Sequence, residues 1–444
     1  MNKWFTSKGG IVYELIDENE SVGNNRRKVK NVSNGEIYDL VIRNFESSDL
    51  QKTIIDNAVK GAPCSSFLWV LDIVVLEENK FGYITEKYQE DQFVNVYDIL
   101  KNKRQFSSKE MQIAALIELV DAFEILHAKG YCYQDFRFED IKFNCDTGDV
   151  LFCYNESITP FGENLNFVHG LKYMAPEVAI KMFRPDMHSD RFSLAVLIFL
   201  LLTHAHPYDG VQRLAGQLTP ALKQKVYSTE PVFIFHPTDA SNRPDPQEDI
   251  NAIKAWPTLP PFIQDLFIKT FTAGMPKLGM KRDKLEIDRR QRASEKEWRD
   301  AFHRWLDTVA ACPSCGNGIC VEIENGQIKA STCPYCKESI NFSLPIFIIR
   351  KRGKVIRTVV LEDGKTVAKS SVTKERSNEP AFIIRRSKKR ADIYGIENLL
   401  PYQWKCVQQG ASDRLVKTHE VVAALNGVNI EFDYDFSGEI LYKL

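Results

Sequence analysis

The sequence predicts an α+β protein in which a β-rich N-terminal part precedes a helical part, a short cysteine-containing segment and a second β-rich part. Three observations lead to this fold class. Apolar runs of strand length recur in the first ~100 residues, and from Ser107 the apolar spacing changes to i, i+3, i+4, as in helices. Two Cys-x-x-Cys pairs near residue 320 then separate the helices from further alternating runs.

The bulk composition bounds the class of protein. A chain of 444 residues is longer than one domain normally is, so two or three domains are expected. A net charge of -1 favours neither nucleic acid nor an anionic membrane as a partner. No apolar leader follows Met1, and the most apolar stretch, Leu194–Leu202, is too short to cross a membrane. Cysteines outside the two pairs are scattered singly, which favours a reducing compartment, so a cytoplasmic location is expected.

The N-terminal part is predicted to be a sheet. Its expected strands are Ile11–Leu15, Tyr38–Arg43, Phe67–Val75 and Phe81–Thr85. The polar stretch Asp17–Gly35, which contains the basic run from Arg26 to Lys28, is predicted to be a long solvated hairpin loop.

Helices are predicted from apolar spacing and capping residues. Ser108 or Ser107 is expected to cap a helix that continues through Leu126. Ser294-x-x-Glu297 matches a capping box at the start of a later helix. The expected helical segments after the first are Ser189–Leu202, Pro261–Thr272 and Ser294–Ala311, and the last of these begins with the capping box.

The segment His127–Asn144 resembles the catalytic loop of the eukaryotic-like protein kinases, with Asp135 at the catalytic aspartate position. Ala175-Pro176-Glu177 resembles the A-P-E element, Asp190 matches a buried helix aspartate, and Arg292 stands where an arginine would pair with Glu177. These elements occur in kinase order and spacing. The resemblance therefore implies a two-lobed kinase fold, with an N-lobe over residues 1–90 and a C-lobe over residues 91–310. His127 is expected to be structural.

A narrower family is also similar. The carrying segments are Phe67–Asp72, Phe81–Tyr83, Asp146–Cys153, Phe233–Phe235, Asn242–Pro244 and Glu297–Arg299. They resemble bacterial kinase–zinc-ribbon proteins linked to tellurite-resistance-type gene clusters, over residues ~1 to ~340 and more weakly beyond. That resemblance implies a signalling complex with a von Willebrand A domain protein and a metal-dependent protein phosphatase.

Phosphoryl transfer needs phosphates held, magnesium bound and a hydroxyl aligned by a carboxylate. By the kinase resemblance, Asp135 supplies the carboxylate, and Gly9 and Gly10 form a shortened glycine-rich loop. Glu86 and Tyr88 fall in the hinge that would meet the adenine of ATP.

Other positions depart from the kinase pattern. Arg43 stands where the phosphate-binding lysine belongs, and residues 48–62 contain no glutamate to pair with it. Tyr154 takes the place of the aspartate that binds Mg2+, although a neutral phenol is a poor magnesium ligand. The sequence therefore predicts a pseudokinase-type signalling or scaffold protein that could still bind nucleotide.

Two alternatives stay open. In the first, the chain is an active Ser/Thr protein kinase in which Asp135, Asp140 and Glu156 together hold a shifted metal ion; otherwise Asp140 and Glu156 are solvated loop acids. In the second, the chain is a pure binding module that does not respond to ATP.

The two cysteine pairs predict a structural zinc site. Cys312 and Cys315 precede a plausible hairpin, and Cys333 and Cys336 follow it. Two Cys-x-x-Cys turns across a hairpin supply four thiolates in tetrahedral arrangement, which closes the coordination sphere of Zn2+. A zinc ribbon is therefore expected over residues 311–342.

The C-terminal part, residues 343–444, is predicted to be a β-sandwich-like domain, loosely similar to forkhead-associated domains. Turns are expected at Gly395–Asn398 and at Asn426-Gly427. The basic runs Arg350–Arg352 and Arg385–Arg390 are interpreted as a solvated face, or alternatively as a contact for an acidic partner. Stacking aromatics are not interleaved with them, so nucleic acid is not favoured.

Overall fold

A computed structural model describes residues 4–16, 26–44, 48–77, 80–163, 165, 170–214, 216–217, 219–275, 286, 288–375, 377, 379–390, 393–408, 410 and 412–442. The chain divides into two compact units. The first contains Met1–Pro257 and Pro261–Asp300, and the second contains Thr258–Pro260 and Ala301–Leu444. Strands and helices are mixed in the manner of an α+β protein, as predicted.

The first unit begins with an antiparallel sheet in the order β1-β2-β3-β4-β6-β5. Its strands are β1 (Trp4–Thr6), β2 (Val12–Leu15), β3 (Arg26–Asn31), β4 (Ile37–Asn44), β5 (Val70–Glu77) and β6 (Lys80–Glu86). Helix α1 (Ser48–Lys60) connects β4 to β5 and packs its Ile54 among Val41, Ile73 and Tyr83. Alternate residues of the same strands, such as Leu40 and Ile84, form a second buried layer on the opposite face.

The prediction of a solvated loop over Asp17–Gly35 is wrong for Arg26–Asn31, which form β3; residues 17–25 lie outside the described residues. Val29 of this strand is fully buried beside Leu40, and Arg26 pairs with Val41 across the β3–β4 ladder. Basic side chains conceal the strand in the sequence because Val29 is the one apolar residue among the six of β3.

The rest of the first unit is mainly helical. Its helices are α2 (Val96–Leu100), α3 (Lys109–Ala128), α4 (Pro176–Ala179), α5 (Met187–Thr203), α6 (Pro220–Gln224), α7 (Ile250–Ala255), α8 (Pro261–Phe271) and the first part of α9 (Glu295–Thr308). Its short strands are β7 (Val94–Asn95), β8 (Tyr131–Cys132), β9 (Ile141–Phe143), β10 (Val150–Phe152) and β11 (Thr159–Pro160). Within the described part of the chain, no helix is both long enough and apolar enough to span a bilayer.

The predicted helix boundaries follow the capping residues. The Ser108 hydroxyl accepts a hydrogen bond from the Met111 N–H, which confirms the expected cap of α3. Ser294 and Glu297 exchange both bonds of the predicted capping box. The helix predicted to reach Ala311 ends at Thr308, because the next three residues pair with a strand in the cysteine-containing segment.

The second unit contains three small hairpins, of which the first and the third carry the paired cysteines. Their strands are β12 (Val309–Ala311), β13 (Gly318–Cys320), β14 (Ile323–Glu324), β15 (Gln327–Ile328), β16 (Ser331–Thr332) and β17 (Ser339–Ile340). Within each hairpin the two strands are antiparallel, so that β12 pairs with β13, β14 with β15, and β16 with β17. A small core surrounds Cys312 and Cys333 and includes Ile319, Ile340 and Val360.

The remaining strands form two antiparallel sheets, in the orders β19-β18-β27-β26-β23-β24 and β20-β21-β22-β25. They are β18 (Ile346–Lys351), β19 (Lys354–Val360), β20 (Thr366–Ala368), β21 (Pro380–Arg386), β22 (Tyr394–Asn398), β23 (Trp404–Val407), β24 (Arg414–Val416), β25 (Val421–Ala423), β26 (Asn429–Glu431) and β27 (Phe436–Leu441). Phe347, Phe382, Trp404 and Phe432 meet in their common core.

The turn predicted at Gly395–Asn398 is wrong, because these residues belong to β22. A Cβ atom at Gly395 would lie 2.5 Å from a methyl carbon of Val421 and 3.1 Å from the carbonyl oxygen of Val422. The glycine is therefore required for the close approach of β25, not for a turn. The turn predicted at Asn426-Gly427 is confirmed.

Candidate functional site

The first site feature is an ion pair between β4 and the segment after β10. An Arg43 Nη atom lies 2.6 Å from Glu156 Oε1, and the Tyr83 hydroxyl donates to the same oxygen at 2.5 Å. Glu156 is only 5% exposed. Arg43 therefore has an acidic partner, but this partner does not come from α1, where the kinase pattern puts it.

Tyr154 lies beside this ion pair. The guanidinium carbon of Arg43 is 5.1 Å from the centre of the Tyr154 ring, within the range of a cation–π contact. Burial raises the pKa of Tyr154 to about 12, so the phenol is neutral at physiological pH. Its backbone is left-handed, with φ of 56°, and in the residues that follow Asn155 donates to the Leu68 carbonyl while Glu156 accepts from Tyr83 of β6.

Asp135 and Asp140 occupy the loop between β8 and β9. Asp135 is buried, and its carboxylate accepts a hydrogen bond from Arg137 Nε at 2.7 Å. Asp140 is also buried, and burial raises its pKa to about 8. The interpretation of Asp140 and Glu156 as solvated acids is wrong, since they are 7% and 5% exposed.

Among the described residues, the three acids of the shifted-metal alternative do not bring their carboxylate oxygens within 4.8 Å of one another. Glu156 is bound to Arg43 and Tyr83, whereas Asp135 is bound to Arg137. Within the residues that the structure describes, the four cysteines are the one group whose ligand atoms lie close enough to share a metal ion.

Gly9 and Gly10 lie in the turn of the β1–β2 hairpin. The Gly9 N–H donates to Asp72 Oδ1 at 3.1 Å, and the Lys8 N–H donates to the Ile73 carbonyl, so this turn packs against β5. The Val32 N–H donates to the Val12 carbonyl, next to the turn between β3 and β4. Arg43 lies toward the other end of β4. The structure thus does not bring Gly9 or Gly10 beside Arg43, and their role toward phosphate stays a prediction.

The hinge residues differ in their surroundings. Glu86 is exposed at the end of β6, whereas the Tyr88 ring lies 4.5 Å from the guanidinium carbon of Arg26 and 5.4 Å from Lys142 Nζ. Arg26 also forms an ion pair with the buried Asp39. We call Arg26, Tyr88 and Lys142 the Tyr88 stack. Because Arg26 is on β3 and Lys142 on β9, the stack joins the sheet to the helical part of the first unit.

Sequence reasoning missed Arg26 and Lys142. One signal was present: Asp39 stands among the apolar residues of β4, and a carboxylate buried in a sheet needs a cationic partner. The partner's position could not be inferred, since Arg26 lies within Asp17–Gly35, the stretch that the sequence predicts to be a loop.

Asp190 of α5 holds the loop that carries Asp135 in place. The carboxylate of Asp190 accepts from the N–H of Tyr133 at 2.6 Å and bonds to His127 Nε2 at 3.0 Å. His127 Nδ1 lies 3.0 Å from Glu295. Burial alone would lower the pKa of His127, but its hydrogen bonds to both carboxylates outweigh burial and raise the pKa to about 9. His127 is therefore a buried cation that holds this loop, and the structural role is the one expected from the sequence.

A second buried pair matches the sequence expectation directly. Arg292 donates two hydrogen bonds to the Glu177 carboxylate, at 2.7 and 2.8 Å, and both side chains are fully buried. Such a bidentate pair holds the segment before α5 against the residues that precede α9.

The four cysteines form a candidate metal centre in the second unit. Their Sγ atoms all lie within 4.8 Å of one another, with Cys312–Cys336 and Cys315–Cys333 each at 3.8 Å. Tetrahedral Zn–S bonds of about 2.3 Å place sulfurs about 3.8 Å apart. Asn317 Nδ2 donates to the Cys315 sulfur at 3.3 Å, as expected for a group that supports a thiolate. The donor set therefore fits Zn2+.

Comparison with known proteins gives partial matches to eukaryotic kinases. The chain is 26% identical over 206 residues to a putative ribosomal protein S6 kinase alpha-1 of Caenorhabditis elegans. The matched residues make up 45% of this chain and 26% of that protein. It is 29% identical over 118 residues to cGMP-dependent protein kinase, isozyme 2 forms cD5/T2, of Drosophila melanogaster, covering 26% of this chain and 12% of that protein.

The chain thus spans about a quarter or less of the length of these relatives. No family model matches it. The partial similarities to eukaryotic Ser/Thr protein kinases support a relationship to the protein-kinase superfamily.

Proposed function

We propose that the chain is a pseudokinase-type signalling or scaffold protein, whose kinase-like cleft does not transfer phosphate. The observation that carries this proposal is the ion pair between Arg43 and Glu156. In a protein kinase the lysine at this position pairs with a glutamate on the following helix, while an aspartate after the catalytic loop binds magnesium. Here the acid next to the metal position binds the arginine instead.

The metal position itself supports the same conclusion. Tyr154 presents a neutral phenol under the Arg43 guanidinium, and Glu156 has its Oε1 atom bound by both Arg43 and Tyr83. Magnesium prefers carboxylate and water oxygens. The residues that remain at this position are therefore suited to holding the two lobes together, not to coordinating a metal–nucleotide complex.

The Tyr88 stack bears on nucleotide affinity. Its ring contacts two cations at the hinge, where a kinase would admit adenine. Any nucleotide that entered would compete with these cation–π contacts, which are worth about 0.5–2 kcal/mol each. We therefore expect weak nucleotide binding or none.

The test combines thermal unfolding with a transfer assay. The intact protein is titrated with ATP alone, with ATP and Mg2+, and with ATP and Mn2+, since a ligand specific for the native state raises the melting temperature. No shift, or a shift that is independent of metal, agrees with the proposal. A metal-dependent shift together with phosphate transfer that Asp135→Asn abolishes would establish the active Ser/Thr kinase instead.

We further propose that the protein works in a complex with a von Willebrand A domain protein and a protein phosphatase, through its second unit. Two observations support this proposal. The sequence resembles that family, and the second unit is compact and has hydrophobic cores of its own. The expected result is co-purification of the three proteins, lost with Cys315→Ser/Cys336→Ser and retained with Cys406→Ser. Retention with the double variant would contradict the assignment to this unit.

A further inference from the structure

A cavity of about 890 Å3 opens beside the N-terminus of α5, away from Arg43 and the Tyr88 stack. Its walls come from the two residues after β11, from the loop between α4 and α5, and from Glu286, Arg289 and Arg290. The volume falls within the range of natural ligand sites. We call it the α5 cavity.

The acids of the α5 cavity are already neutralised. Asp186, the N-cap of α5, is paired with Arg289, a fully buried arginine that also has Glu286 at 3.4 Å. Glu286 pairs in turn with Arg290 at 3.1 Å. No anionic side chain of the lining is left without a cation.

Two cations of the lining are not neutralised. Lys181 and Arg184 are exposed at the cavity, and among the described residues neither has a carboxylate within ion-pair distance. Arg184 Nη1 donates to the Gly162 carbonyl at 3.0 Å, which holds the guanidinium at the cavity wall. The lining therefore carries four cations against two carboxylates.

The rest of the lining is apolar. Phe161 is 38% exposed, Met182 is half-buried, and Phe183 packs under the Arg289 guanidinium at 4.2 Å. The guanidinium of Arg289 is already bound by carboxylates inside the protein. Recognition of a ligand therefore depends on apolar contact with the lining and on the charges of Lys181 and Arg184. That combination suits a peptide segment with acidic side chains around an apolar one, not a small polar metabolite.

We propose that the α5 cavity is a docking site for a short acidic peptide segment of a partner protein. An apolar side chain of the peptide packs on Phe161 and Met182, while flanking carboxylates pair with Lys181 and Arg184. This inference does not depend on whether the cleft binds nucleotide.

The experiment is an affinity selection with the intact protein. A degenerate nonapeptide library with leucine or phenylalanine at its centre, and Asp, Glu, Ser, Lys or Arg at the flanks, is passed over the immobilised chain and sequenced. Asp and Glu are expected to be enriched on the wild type. The charge-reversed variant Lys181→Glu/Arg184→Glu should lose that enrichment, and it should bind the selected peptide about tenfold more weakly by fluorescence anisotropy.

The matched control is Lys223→Glu/Lys254→Glu, which makes the same charge change at exposed lysines that do not line the cavity. It should bind the selected peptide as the wild type does. The proposal is overturned if acidic peptides are not enriched, if the reversed variant selects them equally well, or if both double variants lose binding to the same extent. Thermal unfolding of each variant checks that it is folded.

Discussion

Arg43 of β4 and Glu156 of the segment after β10 are joined by an ion pair of 2.6 Å, which links the N-terminal sheet to the lobe that carries Asp135. The two side chains are 19% and 7% exposed, so little water screens their charges. Asn57 of α1 reinforces the link by donating to the Ile158 carbonyl at 3.0 Å. Glu156 therefore both pairs with Arg43 and holds the segment after Tyr154 against the N-terminal sheet.

A double-mutant cycle on Arg43 and Glu156 should measure this link. Glu156→Ala leaves a guanidinium and the Tyr83 hydroxyl without their acceptor, so a loss of about 3 kcal/mol in the free energy of unfolding is expected. The double variant Arg43→Ala/Glu156→Ala should lose less than the sum, with a coupling of about 1–3 kcal/mol.

The control cycle uses Lys296 and Asp300, an exposed i, i+4 pair on α9 whose side chains are 68% and 57% exposed. Its coupling should be about 0.5 kcal/mol or less. Equal coupling in the two cycles would refute a stabilising role for the Arg43–Glu156 link. Urea unfolding supplies the free energies.

The buried charge of His127 predicts a pH dependence of stability. Its pKa is raised from 6.5 to about 9 in the folded protein, so its contribution is fully present below pH 6.5 and is lost as the pH rises through 9. The loss amounts to about 3 kcal/mol. Despite burial, hydrogen bonds to His127 and Arg191 lower the pKa of Glu295 to about 2, so its contribution is lost only in acid, below about pH 4.5.

Unfolding free energies of the wild type and of His127→Gln, measured from pH 6 to pH 10, give the readout. The difference between the two proteins should shrink as the pH rises, because the neutral glutamine does not titrate. The exposed histidine variant His419→Gln should run parallel to the wild type. A difference that stays constant across this range would show that His127 is uncharged in the native state.

Metal removal should unfold the hairpins around the cysteines. We expect one zinc per chain by elemental analysis, and the loss of that zinc in Cys315→Ser. The apolar core there is small, so the metal supplies much of its folding free energy. Cys406→Ser, at a half-buried cysteine packed on the sandwich core, should keep its zinc. Equal zinc content in both variants would rule out the four-cysteine site.

The two cysteine turns offer a matched pair of substitutions. Gly316 and Lys337 each follow the second cysteine of a pair and both have left-handed backbones, with φ of 73° and 68°. Lys337→Gly should therefore stabilise its turn by up to about 1 kcal/mol, and Gly316→Ala should destabilise the other by about 1 kcal/mol. Thermal unfolding of the zinc-loaded protein compares them. A destabilised Lys337→Gly would mean that the lysine side chain, which bonds to the Pro334 carbonyl, outweighs the backbone strain.

Local features of this protein were determined by the sequence alone. Ser108 caps α3, Ser294 and Glu297 form their capping box, and each cysteine turn bonds back on itself. In all of these the partners stand within a few residues of each other, so the pattern of residue types suffices. The Glu177–Arg292 pair spans a long separation, yet it could be predicted because a family pattern supplied the partner.

Tertiary structure decided the rest. Only the folded chain shows that Arg43 pairs with Glu156, that Arg26 and Lys142 both contact the Tyr88 ring, and that the charged segment from Arg26 is a strand. Each of these depends on which distant segments share a face or a ladder. Periodicity and capping rules describe a residue's own element, whereas a buried charge takes its partner from whichever segment the fold brings within a few ångströms.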